Sequence, residues 1–475
     1  MCKNVNYNIK LIENLLNILI RVILICSVLL ILPFSLAAKQ IYISPQDNLQ
    51  EQLDNAVDGD VIVLSKGRYA GNFVIKHAIT LQGADNANID AQGTGHALLL
   101  KSSNITIKNL IISNWGSDLT EQDSGIYSVK PATNIVIENN KLQGDGFGIW
   151  LQKAEHIKVI NNTVEGNPQL RSADRGNAIQ LSIVKHVEVS GNEVFNTRDG
   201  LYIISSQENV LKNNIMHDLR YGVHYMYSHN NKVLNNKAYN TRAGYALMSS
   251  RNLIVEGNET HDSEDYGFLL NFITSSKITN NKIVNVWTKP ENKVLGRDGK
   301  GLFVYNSAYN TINNNIIDTT EIGIHLTAGS ENTSVYGNSF INNPTQVKYV
   351  SNKKQEWSYE GKGNYWSNYL GWDMNSDNIG DVIFEPNDGI DKLAWQYPEM
   401  KMLMDSPAVI ILRWVQRQFP VLKPPGIKDS FPLMMTPNKL AESKVESKSK
   451  NKQDLKNENM TTAMTTKKEV ELANE

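Results

Sequence analysis

Gly200-Leu201-Tyr202-Ile203, Gly222-Val223-His224-Tyr225-Met226 and Gly244-Tyr245-Ala246-Leu247-Met248 open on glycines 22 residues apart, and Gly267 follows after 23. A second mark keeps the same beat. Asn-rich turns recur as Asn139-Asn140, Asn161-Asn162, Gly191-Asn192, Asn213-Asn214, Asn235-Asn236, Gly257-Asn258, Asn280-Asn281, Asn314-Asn315 and Gly337-Asn338. A fixed period of this length is the signature of stacked repeats. The apolar segments between the marks are short and β-branched, as in Ile135-Val136-Ile137 and Val187-Glu188-Val189, and show no helical 3.6-residue period. The expected fold is all-β: a single-chain, right-handed parallel β-helix solenoid with one coil per ~22 residues.

In such a coil, equivalent residues stack about 4.8 Å apart. Asparagines at one turn therefore form a ladder of mutually bonded amides. Alignment on the glycines gives one column of Ile126, Ile149, Ile179, Leu201, Val223, Tyr245, Phe268, Leu302 and Ile324, all apolar or aromatic, which must face the tube interior. The next residues, Tyr127, Trp150, Gln180, Tyr202, His224, Ala246, Leu269, Phe303 and His325, then face outward. Ser44-Pro45 with Leu49, Leu53, Ala56 and Val57 reads as a short amphipathic helix covering the open stack end. The glycine spacing stretches between Gly148 and Gly176 and between Gly267 and Gly301, and these insertions become surface loops.

The ends of the chain have a different character. Lys3, Lys10 and Arg21 precede an apolar run from Val22 to Leu32 and small residues at Ser35-Leu36-Ala37-Ala38. Residues 1–37 read as a secretory signal, with an uncleaved anchor as the competing reading. Both cysteines, Cys2 and Cys26, fall inside it, so disulfides and thiolate sites are excluded from the exported chain. The expected location is the periplasm. The solenoid is expected over 38–350, a capping and docking segment over 351–434, and a disordered charged tail over 435–475. Forty-seven basic residues against 49 acidic ones provide no field for nucleic acid or an anionic membrane surface.

The outward face is too apolar to be left wet, and cover by the insertions or the C-terminal segment is one reading of it. Within it, Met226 and Met248 stack one coil apart and His224 lies two residues from Met226, while His325 belongs to the same column. Thioether and imidazole are ligands suited to copper(I), against the alternative that they only pack. A polysaccharide lyase or uronate C5-epimerase is the competing function, with Asp199, Asp265, Asp318, Arg198 and Arg242 as candidate groups. The acid and base expected after Tyr266-Gly267-Phe268 are replaced by Leu269 and Leu270, so those Asp and Arg residues read as solvated turns, and a carrier is favoured over an enzyme.

After Asn343 the beat ends. Asp373, Asn375, Asp377 and Asp381 place oxygens at alternate positions, as in a calcium loop, but Phe384 stands where a twelfth-position carboxylate belongs. The competing reading is a set of Asx turns. Ser406-Pro407 is an N-cap and first-turn pair, opening a helix through Ile410, Ile411, Trp414 and Val415 that Pro420 stops. It is too short to span a membrane, which needs about 20 residues.

The ordered set Tyr221–Ser228, Gly244–Ser250, Ile322–Glu331, Gly363-Asn364-Tyr365-Trp366, and Ser406-Pro407-Ala408 through Arg413-Trp414 to Phe419-Pro420-Val421 resembles the NosD family of nitrous oxide reductase maturation proteins, over about residues 41–434. The resemblance implies a periplasmic copper-enzyme assembly factor with no chemical step of its own. It also implies an ABC-type ATPase and permease, a copper-carrying lipoprotein and nitrous oxide reductase as partners, with the membrane reached only through the permease. Under it, the methionine and histidine strip becomes a copper-transfer surface and the C-terminal helix a permease contact.

Overall fold

A computed structural model describes residues 38–437, apart from 129–130, 295, 328, 352, 405 and 420–424. The expected signal and nearly all of the expected tail lie outside the described residues. The chain winds as a parallel β-solenoid. One face is a 13-stranded sheet, and the other faces join into a 23-stranded sheet. They join because Ile215–Met226 and Lys237–Met248 run unbroken through the bend between two faces.

The registers carry both expected columns without a slip. Ile126, Ile149, Ile179, Leu201, Val223, Tyr245, Phe268, Leu302 and Ile324 are successive Cα partners, and all are buried in the tube. The glycines have a steric cause. A Cβ on Gly222 would stand 2.6 Å from the Gly244 carbonyl oxygen, and one on Gly200 the same distance from that of Gly222.

The two residues of each Asn-rich turn have separate tasks. The first takes positive φ, for example 53° at Asn235 and 67° at Gly257, so only Asn or Gly occurs there. The second points inward and donates its Nδ2 to the Oδ1 of the residue one coil on. The chain of amides runs Asn140, Asn162, Asn192, Asn214, Asn236, Asn258, Asn281, Asn315, Asn338, each link 2.8–3.0 Å. Every donor points toward the C-terminal end, so the amide dipoles align and polarise one another.

The solenoid continues past the last expected coil. Asn338 donates to Asn364 at 2.9 Å, and Tyr365–Trp366 pairs with Ser339–Ile341. The beat is hidden because this coil takes 26 residues from Asn338 to Asn364. Ile427-Lys428 then returns to pair with Gln355-Glu356, and Leu433 bridges to Tyr365. This return places Asp429 on the end of the ladder, where its Oδ2 accepts from the Asn364 backbone N–H at 2.8 Å, the Asn364 Nδ2 at 3.3 Å and the Trp366 Nε1 at 2.8 Å.

At the other end, helix α1 (Leu49–Asn55) buries Leu49 and Leu53. Its N-cap is Asn48, and Gln40–Ile43 ahead of it is a strand paired with Val61–Leu64. The Gln50 side chain both donates to and accepts from the backbone of Val74, satisfying a coil edge that would otherwise be open. The C-terminal segment holds α2 (Gly389–Gln396) and α3 (Pro407–Gln418). The Ser406 side chain caps α3 at Val409 N–H, as the sequence implies.

Candidate functional site

The outward column is in register as expected, with Tyr202, His224, Ala246, Leu269, Phe303 and His325 as successive partners. Outward does not mean wet here. His224 is only 8% exposed, because Tyr202 and Tyr221 meet its ring edge-on at 4.5 and 5.1 Å. Its Nδ1 lies 2.8 Å from Asp199 Oδ2. Arg220 grips the same carboxylate through Nε at 2.8 Å and Nη2 at 2.6 Å, and stacks on the Tyr221 ring at 4.5 Å. Burial raises the Asp199 carboxyl, but the hydrogen bonds from His224 and Arg220 outweigh it and hold the group below the ordinary carboxylate range.

Asp199 is therefore not the solvated turn residue its setting suggests. Asp265 is likewise buried, held by Arg242 at 2.5 Å and by Arg297 at 2.9 Å. The physical reason is the bend. Each acid directly precedes or opens a strand, so the turn is folded against the coil and its carboxylate lies beneath guanidinium groups. The remaining acid of that group, Asp318, is half-buried and accepts from Thr319 Oγ1.

Met226 and Met248 are direct partners in adjacent strands, both half-buried, with Ile204 before them and Asn271 after. The Asn271 Oδ1 is buried without a hydrogen-bond partner among the described residues. His224 lies on the same strand and face as Met226, two residues back. The structure does not bring in His325. That residue sits four coils further on, roughly 19 Å away at the interstrand spacing, and cannot share an ion with His224. Burial first, then Lys348 and Lys300, push the His325 imidazole down to about 3. Its Nδ1 is buried without a hydrogen-bond partner among the described residues.

Asp373, Asn375, Asp377 and Asp381 do share one turn, and their oxygens face their own backbone. Asp373 accepts from Asp377 and Asn378 N–H at 3.2 and 2.8 Å, Asn375 from Asp377 N–H at 3.2 Å, Asp377 from Ile379 N–H at 2.8 Å, and Asp381 from Met374 N–H at 2.7 Å. These are Asx-type turns. Among the described residues, no group of three or more His, Cys, Asp or Glu side chains is placed to hold a metal ion.

Two groups escape sequence reasoning. The carboxylate behind His224 is legible only after folding, since Asp199 precedes it by one coil plus three residues. Asp429 has no repeat to announce it. The C-terminal helix leaves an apolar side uncovered: Val409 is buried, while Ile410, Ile411, Leu412, Trp414 and the C-cap Phe419 are all at least half exposed. No helix among the described residues is long and apolar enough to cross a membrane.

Taken with the tube and its stacked columns, this is a right-handed parallel β-helix protein. A model of the right handed beta helix region matches residues 62–182, and a model described as periplasmic copper-binding protein (NosD) matches 160–371. A probable ABC transporter binding protein NosD of Pseudomonas aeruginosa is 48% identical over 376 residues, covering 79% of this chain and 88% of that protein. Its counterpart in Stutzerimonas stutzeri is 45% identical over 377 residues, 79% and 86% of the two chains. The chain belongs to the NosD family. Solved structures similar to it include the Streptococcus pneumoniae surface protein and adhesin PfbA, at 11% identity and TM-score 0.49 over 62% of this chain and 92% of that one. Another is the Azotobacter vinelandii mannuronan C-5 epimerase AlgE6 A-module, at 16% identity and TM-score 0.42 over 65% and 89%.

Proposed function

We propose that this protein is a periplasmic accessory factor that works with an ABC transporter in the maturation of nitrous oxide reductase, presenting copper(I) on its outer face as cargo. The description of the family model and the names of the Pseudomonas and Stutzerimonas relatives support the setting. The observation that carries the copper reading is the pairing of Met226 with Met248 beside a histidine whose Nδ1 is held by Asp199. A carboxylate on one ring nitrogen fixes the tautomer and leaves Nε2 as the ligating nitrogen, the arrangement that metal-binding histidines commonly have. Two thioethers and one imidazole suit copper(I) rather than a hard cation. A set of three with no thiolate also suits cargo that must be released.

The partners follow from the same reading. A copper-carrying lipoprotein would load this face, nitrous oxide reductase would receive from it, and the apolar side of α3 would rest on the permease of the transporter, whose ATPase drives the cycle. Trp414 at 59% exposed and Ile410 and Ile411 at 60% exceed what a solvated helix normally leaves in water. An enzymatic role on uronate polymers is disfavoured because Asp199 and Asp265, the acids best placed for a base, are both engaged by guanidinium groups.

The test is a copper(I) titration under reducing conditions against a competing chelator, on the exported chain and on His224→Ala, Met226→Leu and Met248→Leu. Each variant is expected to bind at least tenfold more weakly. Equal affinity in all three removes the site. Uronate polymers incubated in parallel and yielding unsaturated ends or epimerised residues would move the protein to the enzyme class.

A further inference from the structure

The row beside the copper-facing strip has a different chemistry. Arg198, Arg220 and Arg242 occupy equivalent positions in three successive coils, with the Arg220 N–H donating to the Arg198 carbonyl at 2.8 Å. Both long insertions fold toward this row. In the first, Arg175 donates to the carbonyls of Leu170 at 2.6 Å and Asn196 at 3.1 Å, tying the loop to the neighbouring coil. In the second, Arg297 reaches Asp265 at 2.9 Å and Glu264 at 3.3 Å. Between them lies a trough of about 620 Å³ that includes Arg198, Arg220, Arg242, Arg175 and Lys289 in its walls.

The cations in this trough are not equivalent. Arg220 and Arg242 are committed to Asp199 and Asp265, and Arg175 to backbone carbonyls. Of the two carboxylates in the walls, Asp218 lies 2.7 Å from His217 Nδ1, and Glu264 accepts from Arg297 and Asn292. Arg198 stands apart: its Nε is buried with no hydrogen-bond partner among the described residues. That Nε is closed to solvent, so a ligand in the trough would meet the terminal Nη1 and Nη2 of the Arg198 guanidinium, which makes no ion pair to a described residue. Its fork geometry matches two oxygens of one oxyanion. Lys289, exposed on the second insertion with no ion pair to a described residue, provides a second positive charge at the rim.

We propose that this trough binds a small ligand through an oxyanion group (carboxylate, phosphate or sulfate), gripped bidentately by Arg198 and attracted by Lys289. The committed arginines set the floor and the two insertions form the walls. This inference is independent of the copper reading, since none of its donors is a copper ligand and its ligand is anionic.

The experiment titrates the purified full chain with sodium sulfate, sodium phosphate and sodium acetate in separate arms, with ionic strength held constant by sodium chloride. Binding is read by calorimetry and by the shift in thermal midpoint. At least one arm is expected to saturate, identifying which oxyanion fits. Arg198→Ala should weaken that arm at least tenfold, and Arg198→Lys, which keeps the charge but loses the fork, at least threefold. Arg251→Ala, an exposed arginine on another turn, should bind as the unaltered chain does. The proposal is overturned if no arm saturates, if Arg198→Lys binds as well as the unaltered chain, or if Arg251→Ala weakens binding equally. Should Arg198→Ala fail to fold, the lysine variant alone decides.

Discussion

Asp199 and Asp429 are both fully buried carboxylates on the same solenoid, yet their environments drive them in opposite directions. Asp199 lies mid-solenoid against Arg220 and His224, and stays ionised well into acid. Asp429 lies at the C-terminal end with only neutral donors, Asn364, Trp366 and the Phe431 N–H, and burial pushes it up to about 6. Four neutral hydrogen bonds do not replace a bidentate guanidinium and an imidazole in compensating the removal of a charge from water. The mid-solenoid acid is therefore a fixed charge that orients a candidate ligand, and the terminal acid is a titrating clasp on the amide ladder.

The largest effect should come from breaking the first of these. Asp199→Ala leaves Arg220 as an uncompensated, largely buried charge and frees the His224 ring, and should cost about 3–5 kcal/mol. Chemical denaturation followed through the coils flanking Tyr202 and Tyr221 would measure it. A loss within about 0.5 kcal/mol, the level of an ordinary surface substitution, would show that the pair is solvated and its hold on His224 weak. The same variant should lower copper(I) affinity although Asp199 touches no copper, because His224 would no longer present Nε2.

The second effect separates the two acids by pH. Asp199 has a lowered value, so its contribution is complete above the ordinary carboxylate range and is lost only as pH falls below it. Asp429 has a raised value, so the folded cap holds a proton more tightly than the unfolded chain does. Its contribution favours folding below 3.8 and is lost as pH rises through about 6. The rise corresponds to about 3 kcal/mol of local stability. Between pH 4 and pH 7 the cap should loosen while the Asp199 carboxyl, with its lowered value, stays ionised. Hydrogen-exchange protection at the Asn364 and Trp366 amides, corrected for intrinsic rate, should fall across that window. Protection that rises instead would reverse the assignment.

A third test removes the rung between ladder and clasp. Asn364→Ala deprives Asn338 of its acceptor and Asp429 of a donor, and should cost about 1–3 kcal/mol, felt at the cap first. Proteolysis of the return segment around Ile427 should speed up before the coils carrying Val223 and Tyr245 open. Simultaneous opening of cap and mid-solenoid would show that the ladder transmits the loss along its whole length.

The difference between the two regions also decides what could be read from the sequence. Where the beat holds, every inward residue from Ile126 to Ile324 was legible, because a stacked coil must repeat and a narrow tube has one interior. Met226 and Met248 were legible as partners for the same reason. His325 was legible as a member of the outward column but not as one too distant to share an ion, since a column gives register and says nothing of which rungs meet a ligand. The Asp199 to His224 contact crosses from one coil to the next at an offset of three, which periodicity does not encode. Asp429 depends on a chain reversal 65 residues beyond Asn364, and nothing local in Lys428-Asp429-Ser430 announces it. The acids that read as an oxygen-rich loop, Asp373 to Asp381, matched a metal site in composition while serving backbone turns, because both uses favour the same alternating oxygens.

The smallest effect should be the most discriminating. Asp429→Asn keeps the shape of the clasp and an Oδ1 that accepts from Asn364 and Trp366. It takes the acceptor from the Phe431 N–H and removes a buried charge, opposing effects that should leave cap stability at pH 7 within about 1 kcal/mol, of either sign. What it should remove is the pH dependence: amide protection at Asn364 should become flat between pH 4 and pH 7 where the unaltered chain falls. Glu356, Asp381, Asp388 and Asp391 also belong to the C-terminal segment, and they remain in this variant. A slope that persists in Asp429→Asn would therefore place the titration on one of those exposed or half-buried groups, and the contrast between the two buried aspartates would have to be drawn from ion pairing alone.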